Sequence, residues 1–110
     1  MKKKIYVAGP YSKGDTAVNV RNAYVIAEDL VKLECAPYVP HATHFWHLIF
    51  PHEYEFWLKL DLEYLPICDA IYRFPGESNG ADNEVKEAQR LGMKVLYSMD
   101  DVKQYLEESK

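Results

Sequence analysis

The sequence predicts a small three-layer α/β sandwich built on a four-stranded parallel sheet. Strand-like and helix-like segments alternate along the chain, and this order favours parallel pairing through right-handed crossovers. Three of the strand-like runs end at Gly or Pro, as buried parallel strands do where they reach a loop. The length of 110 residues suits one hydrophobic core, so residues 1–110 are expected to form a single domain.

Hydrophobic periodicity locates the individual elements. Short β-rich apolar runs predict strands, and apolar residues recurring every three or four positions predict helices. The predicted strands are Lys4–Ala8, Ala36–Val39, Asp69–Phe74 and Lys94–Tyr97. The predicted helices are Ala17–Leu33, Glu53–Leu65, the second half of Pro75–Leu91, and Asp100–Glu108. The first helix is expected to bury Val20, Ala23, Tyr24, Ala27, Leu30 and Val31.

Residues with strong positional preferences mark the helix ends. Asp15 or Thr16 is expected to cap the first helix, because a short polar side chain can accept a bond from a free backbone N–H. Asp100 is expected to cap the last helix in the same way. Gly92 follows the third helix, where a residue with positive φ commonly ends an α-helix.

Two carboxylates fall on helix faces that should be buried. Glu84 lies in the apolar stripe of the third helix, and Asp61 lies in the apolar arc of the second. A buried carboxylate is costly unless it is paired or used. Glu84 has the alternative role of a helix cap, and Asp61 that of a partner for Arg73 or for the Tyr6 hydroxyl. Two carboxylates beside one crevice would suit glycosidic-bond chemistry.

Three loops are expected to form that crevice. In an open parallel sheet, ligands bind beyond the carboxyl ends of the strands. Three polar segments follow strands at that edge: Gly9–Gly14, Pro40–Pro51 and Pro75–Gly80.

The middle loop is rich in histidine and aromatic residues. Its histidines are His41, His44, His47 and His52. No metal site is predicted, because the segment lacks both a nearby Cys and an H-E-x-x-H motif. His41 is expected to line the crevice. Phe45 and Trp46 are expected to pack on a neighbouring helix or subunit, with stacking on a base as the alternative.

Composition excludes several classes of protein. The chain has 13 basic and 17 acidic residues, a net charge of −4, so a nucleic-acid polymer is not an expected partner. With 48% hydrophobic residues the chain is not disordered, and its apolar runs are too short to span a membrane. Cys35 and Cys68 have neither metal-ligand nor disulfide spacing, so a reduced, cytoplasmic protein is expected.

Three blocks together resemble the nucleoside 2-deoxyribosyltransferase superfamily. They read I-Y-V-A-G-P-Y at Ile5–Tyr11, D-L-E-Y-L-P-I-C-D at Asp61–Asp69 and S-N-G-A-D-N-E at Ser78–Glu84. Their order and spacing match over residues 4–97, which is most of the chain.

The resemblance implies roles for individual residues. Glu84 would attack the anomeric carbon, Asp61 would assist, and Tyr6 would position Glu84. Ser78 is six residues before Glu84. At this position, transferases of the superfamily that act on free nucleosides carry Asp. The branch that hydrolyses 2′-deoxynucleoside 5′-monophosphates carries Ser there. A hydroxyl and free N–H groups at a helix N-terminus suit a phosphate, whereas a carboxylate would repel it.

We therefore expect a Rossmann-like, flavodoxin-type enzyme that cleaves the N-glycosidic bond of a 2′-deoxynucleoside 5′-monophosphate, or exchanges its base. Hydrolysis is favoured over transfer, a covalent glutamyl-deoxyribosyl intermediate is expected, and no cofactor is needed. The expected substrate-binding residues are Gly9, Arg21, His41, Ser78, Asn79 and Gly80.

Two alternatives to this activity stay open: a nucleotide-binding module without turnover, and an N-glycosidase acting on another nucleotide such as NAD. The resemblance, together with the aromatic content of Phe45–Trp57, also predicts a homo-oligomer, a dimer or larger.

Overall fold

The computed structural model describes residues 1–110 and places four parallel strands in one sheet. The strands are β1 (Lys4–Ala8), β2 (Ala36–Tyr38), β3 (Ala70–Arg73) and β4 (Lys94–Leu96), in the order β2-β1-β3-β4. In β1, at the centre of the sheet, Tyr6 pairs with Tyr38 on one side and with Ile71 on the other. The predicted four-stranded parallel α/β fold is confirmed.

Five helices surround this sheet. They are α1 (Thr16–Lys32), α2 (His44–Ile49), α3 (Tyr54–Tyr64), α4 (Asn79–Arg90) and α5 (Met99–Glu108). Asp15 caps α1, as predicted, by accepting a hydrogen bond from the Val18 N–H. The cap of α5 is Ser98 and not Asp100, because the helix begins one residue earlier than the periodicity indicates. Gly92 has the expected positive φ of 77° after α4.

Alternation along β1 divides the core into two layers. Ile5 and Val7 face one side of the sheet and pack with buried residues of α1 and α5. Tyr6 and Ala8 face the other side and pack with residues of α4 and of the turn after α3. Tyr6 therefore lies in the same layer as the two helices that carry the predicted carboxylates.

Two further local predictions are wrong. The segment after Pro40 is not a loop: it forms a 3₁₀ turn at Pro40–Thr43 and then α2. On α1, Tyr24 and Val31 are exposed and not buried, because the sheet covers only a narrow stripe of that helix. No helix is both long enough and apolar enough to cross a membrane.

Candidate active site

A cavity of about 260 Å³ opens at the carboxyl edge of the sheet. Residues from all three segments that the sequence predicts as loops line the cavity, together with residues of α3 and α4. The lining includes Gly9, His41, Asp61, Ser78, Gly80 and Glu84. The tertiary structure thus brings together both predicted carboxylates and four of the six predicted substrate-binding residues.

Glu84 is buried in the second turn of α4 and faces the cavity. The Tyr6 hydroxyl donates a hydrogen bond to Glu84 Oε2. Burial raises the pKa of Glu84 to about 8, and the bond from Tyr6 opposes that rise because it favours the ionised carboxylate. The alternative role of Glu84 as a helix cap is wrong, since the Ser78 side chain caps α4.

Asp61 is the second carboxyl group at the cavity, and it too is buried. Burial raises its pKa to about 7. Its Oδ1 has no hydrogen-bond partner. Neither structural partner considered from the sequence is present, because Arg73 pairs with Asp82 at 3.1 Å and the Tyr6 hydroxyl bonds Glu84. A buried oxygen left without a partner is available to a ligand.

The N-terminus of α4 presents polar groups to the same cavity. Ser78 Oγ accepts a hydrogen bond from the Ala81 N–H at 3.0 Å, which leaves its own O–H free to donate. The N–H groups of Asn79 and Gly80, in the first turn, have no helical acceptor. A side chain at Gly80 would overlap the Tyr54 hydroxyl, so this backbone closely approaches α3.

His41 contributes a neutral acceptor. Its Nε2 lies 2.8 Å from the Pro10 carbonyl oxygen, which can only accept, so the proton resides on Nε2. Burial lowers the pKa of His41, because the charged imidazolium is poorly solvated there. The other ring nitrogen, Nδ1, is buried without a partner.

Two predicted substrate-binding residues lie outside the cavity lining. Arg21 is exposed on α1, and Asn79 is exposed at the start of α4 and does not line the cavity. Lys13, in the first loop, forms an exposed ion pair with Glu77 at 3.8 Å.

Sequence reasoning missed the aromatic wall of the cavity. Tyr11, Tyr54 and Trp57 line it, although their spacing predicts only packing. The histidines of the middle segment support this wall: His44 bonds the Tyr11 hydroxyl at 2.6 Å, and His47 accepts from Trp57 Nε1 at 2.8 Å. No group of three His, Cys, Asp or Glu side chains could hold a metal ion.

Comparison with known proteins places the fold. A model of the family described as a domain of unknown function, DUF7768, matches residues 3–98. The chain is also similar to the solved structure of a 2-deoxyribosyltransferase from the psychrotolerant bacterium Bacillus psychrosaccharolyticus, with 22% identity and a TM-score of 0.64. The alignment covers 84% of this chain and 69% of that one. A search of curated proteins found no match. The similarity confirms a deoxyribosyltransferase-like, Rossmann-type fold.

Proposed function

Because the chain belongs to the DUF7768 family of domains of unknown function, we propose its activity from the geometry of the site. The protein cleaves the N-glycosidic bond of a 2′-deoxynucleoside 5′-monophosphate. The main support for this proposal is the position of Glu84: its carboxyl group is buried, faces the cavity and receives a hydrogen bond from the Tyr6 hydroxyl.

Glu84 serves as the nucleophile. Its carboxylate attacks C1′ while the C1′–N bond breaks and the electron pair of that bond leaves with the base. Tyr6 holds Oε2 by its hydroxyl, which fixes the carboxylate and favours its charged form. The product of this step is a glutamyl ester of the deoxyribose phosphate.

Asp61 manages the protons of both steps. Its buried Oδ1, which no group of the protein bonds, holds the proton that passes to the departing base while Glu84 reacts as the carboxylate. The resulting Asp61 carboxylate then takes a proton from the water that attacks C1′ as the bond from C1′ to the Glu84 oxygen breaks. Glu84 is released as a carboxylate, and 2-deoxyribose 5-phosphate leaves the site.

The start of α4 supplies the phosphate site. The Ser78 O–H and the N–H groups of Asn79 and Gly80 are neutral donors at the positive end of a helix dipole. The two acidic side chains near this helix start are both paired with cations, Asp82 with Arg73 and Glu77 with Lys13. Hydrolysis is proposed over base transfer because Ser78 matches the monophosphate-hydrolysing branch of the superfamily that the sequence resembles. The fold of the 2-deoxyribosyltransferase neighbour supports glycosidic-bond chemistry more generally.

The test is to incubate the protein with the common 2′-deoxynucleoside 5′-monophosphates and measure free base by chromatography. Glu84→Gln should keep the fold and nucleotide binding but lower base release by at least about 10³-fold. Glu87→Gln is the matched control, since Glu87 lies on the same helix and pairs with the exposed Arg90. Acid quenching of the wild-type reaction should trap an ester on Glu84, detectable by mass spectrometry.

The other outcomes separate the alternatives. Wild-type protein that binds nucleotides but releases no base is a binding module. Release of nicotinamide from NAD, with no release from deoxynucleotides, identifies another N-glycosidase. A Glu84→Gln variant that keeps near-full activity contradicts the proposed nucleophile.

A further inference from the structure

The outer face of α1 carries apolar side chains that the fold leaves uncovered. Val18, Tyr24, Val25 and Val31 are 50%, 43%, 42% and 48% exposed. The opposite face of α1 already packs on the sheet through Ala23 and Leu30. A helix with one face in the core and a second apolar face in water is unusual, because water-facing helix surfaces are ordinarily polar.

Two unpaired charges lie between the apolar side chains. At 100° per residue, Lys32 falls near the centre of the exposed face but is paired with Asp29 at 4.0 Å. Arg21 and Glu28 are the unpaired charges at this centre, with Val25 on one side and Tyr24 on the other. Both charged residues are exposed, and neither forms an ion pair within the chain. They are two helical turns apart, about 10 Å along the axis, which is too far for them to pair with each other.

The order of these residues is self-complementary when the helix is reversed. About a centre between Tyr24 and Val25, reversal places Arg21 of one helix opposite Glu28 of an identical helix, and does so twice. Tyr24 and Val25 lie on opposite sides of the exposed face, each within one residue of this centre. The same operation therefore brings Val25 next to Val25 of the identical helix and Tyr24 next to its Tyr24, and it places Ala17 near Val31. A two-fold interface requires this property, since every contact is made twice by the same patch.

We infer that the outer face of α1 binds a second copy of this chain, with the two α1 helices antiparallel across a two-fold axis near Tyr24 and Val25. The valines and tyrosines supply the buried apolar area, and the two Arg21–Glu28 pairs fix the register and direction. A parallel pair would set Arg21 against Arg21 and Glu28 against Glu28, which like-charge repulsion opposes.

This face is separate from the cavity. α1 packs on the layer of the sheet that contains Ile5 and Val7, whereas Tyr6 and the cavity helices lie in the other layer. The inference therefore stands whether or not the protein cleaves nucleotides. It also assigns Arg21, which the sequence placed at the substrate, to a contact between subunits.

A charge exchange tests the register. The helix α2 also exposes apolar side chains, among them Phe45, Leu48 and Ile49, and these could associate separately. The parent protein therefore carries Ile49→Asp, which places a charge on that second surface, and its association is followed by analytical ultracentrifugation. Arg21→Glu and Glu28→Arg should each weaken dimerisation at least about tenfold, because each sets like charges together. The double variant Arg21→Glu/Glu28→Arg restores opposite charges and should associate like the parent. A monomeric parent, or a double variant as weak as the single ones, would overturn the inference.

Cross-linking tests the position of the axis. In a Cys68→Ser background, Val25→Cys should form a disulfide between two copies on mild oxidation, because residues at the axis of two packed helices approach within disulfide range. Lys103→Cys, exposed on α5, is the control and should stay unlinked. Equal cross-linking at residues 25 and 103 would contradict the proposed axis. Both variants are at exposed positions, so the fold is expected to tolerate them.

Discussion

At the scale of single residues, the site depends on two carboxyl groups that burial holds partly in their neutral form. In the folded protein the pKa of Glu84 is raised from 4.5 to about 8, and that of Asp61 from 3.8 to about 7. The folded state therefore binds more protons than the unfolded state between these values. Their contribution to stability is fully present below about pH 4 and is lost as pH rises towards about 8.

The first prediction follows from this linkage. Glu84→Gln should become more stable relative to wild type as pH rises from 5 to 8, by at least about 1 kcal/mol, because Gln need not be buried as a charge. Urea unfolding at the two pH values measures the difference. Glu63→Gln, at an exposed position of α3, is the control and should change both stabilities equally. A pH-independent effect of Glu84→Gln would mean that Glu84 does not titrate in this range.

The second prediction concerns Ser78. Ser78→Asp should keep the helix cap, because Asp is also a good N-cap residue, but should repel a phosphate dianion. We expect kcat/KM for a 5′-monophosphate to fall at least about tenfold, or 1.4 kcal/mol, and that for the matching nucleoside to fall far less. Ser98→Asp makes the same exchange at the cap of α5 and should leave both constants unchanged. An unchanged ratio for Ser78→Asp would remove the main support for a monophosphate substrate.

At the scale of elements, the connection between β3 and α4 is held by one side chain. Arg73 at the end of β3 donates to the Phe74 and Gly76 carbonyl oxygens and pairs with Asp82 in the first turn of α4. These bonds tie both ends of the loop that presents Ser78. The loop conformation thus depends on charge-assisted bonds from a single guanidinium.

The third prediction is the effect of removing that guanidinium. Arg73→Met should raise KM for the monophosphate several-fold and increase the rate of proteolytic cleavage within residues 75–78, because the loop loses its anchor. Its positive charge is also one of the groups that oppose the rise in the Glu84 pKa caused by burial, so kcat near neutral pH should fall as well. Arg90→Met, which removes an exposed ion pair with Glu87 on α4, is the control and should have neither effect. A variant with unchanged KM and proteolysis would show that the loop holds its shape without Arg73.

At the scale of the whole molecule, α2 and the start of α3 expose a second apolar surface. Its exposed members are Phe45, Trp46, Leu48, Ile49, Phe50, Tyr54 and Phe56. Monomeric proteins rarely leave so many adjacent large apolar side chains in water. Tyr54 also lines the cavity, so this surface adjoins the proposed active site.

The fourth prediction is that this surface assembles with another subunit. Light scattering at micromolar concentration should give a mass above that of a dimer, and Ile49→Asp should lower it to that of the dimer held by α1, because a charge in a buried apolar contact is costly. Lys103→Asp, an exposed change on α5, should leave the mass unaltered. A monomeric wild type at this concentration would contradict the prediction.

The sequence alone determined the alternation of strands and helices, the parallel sheet and the buried positions of Glu84 and Asp61. These features depend on local periodicity: a residue's place in a 3.6-residue or 2-residue repeat fixes the face it occupies. The chirality of crossover connections then limits how the strands can be arranged, and so which loops share an edge.

Only the tertiary structure decided which side chains meet across that edge. The bond from Tyr6 to Glu84 joins residues 78 positions apart, and the Arg73 side chain selects Asp82 over Asp61. The tertiary structure also left Tyr24 and Val31 in water and turned the segment after Pro40 into a helix. Periodicity states which face of an element is apolar, but not how much of that face a neighbour covers. That depends on the distances and angles between elements far apart in the chain, which packing of the whole core sets.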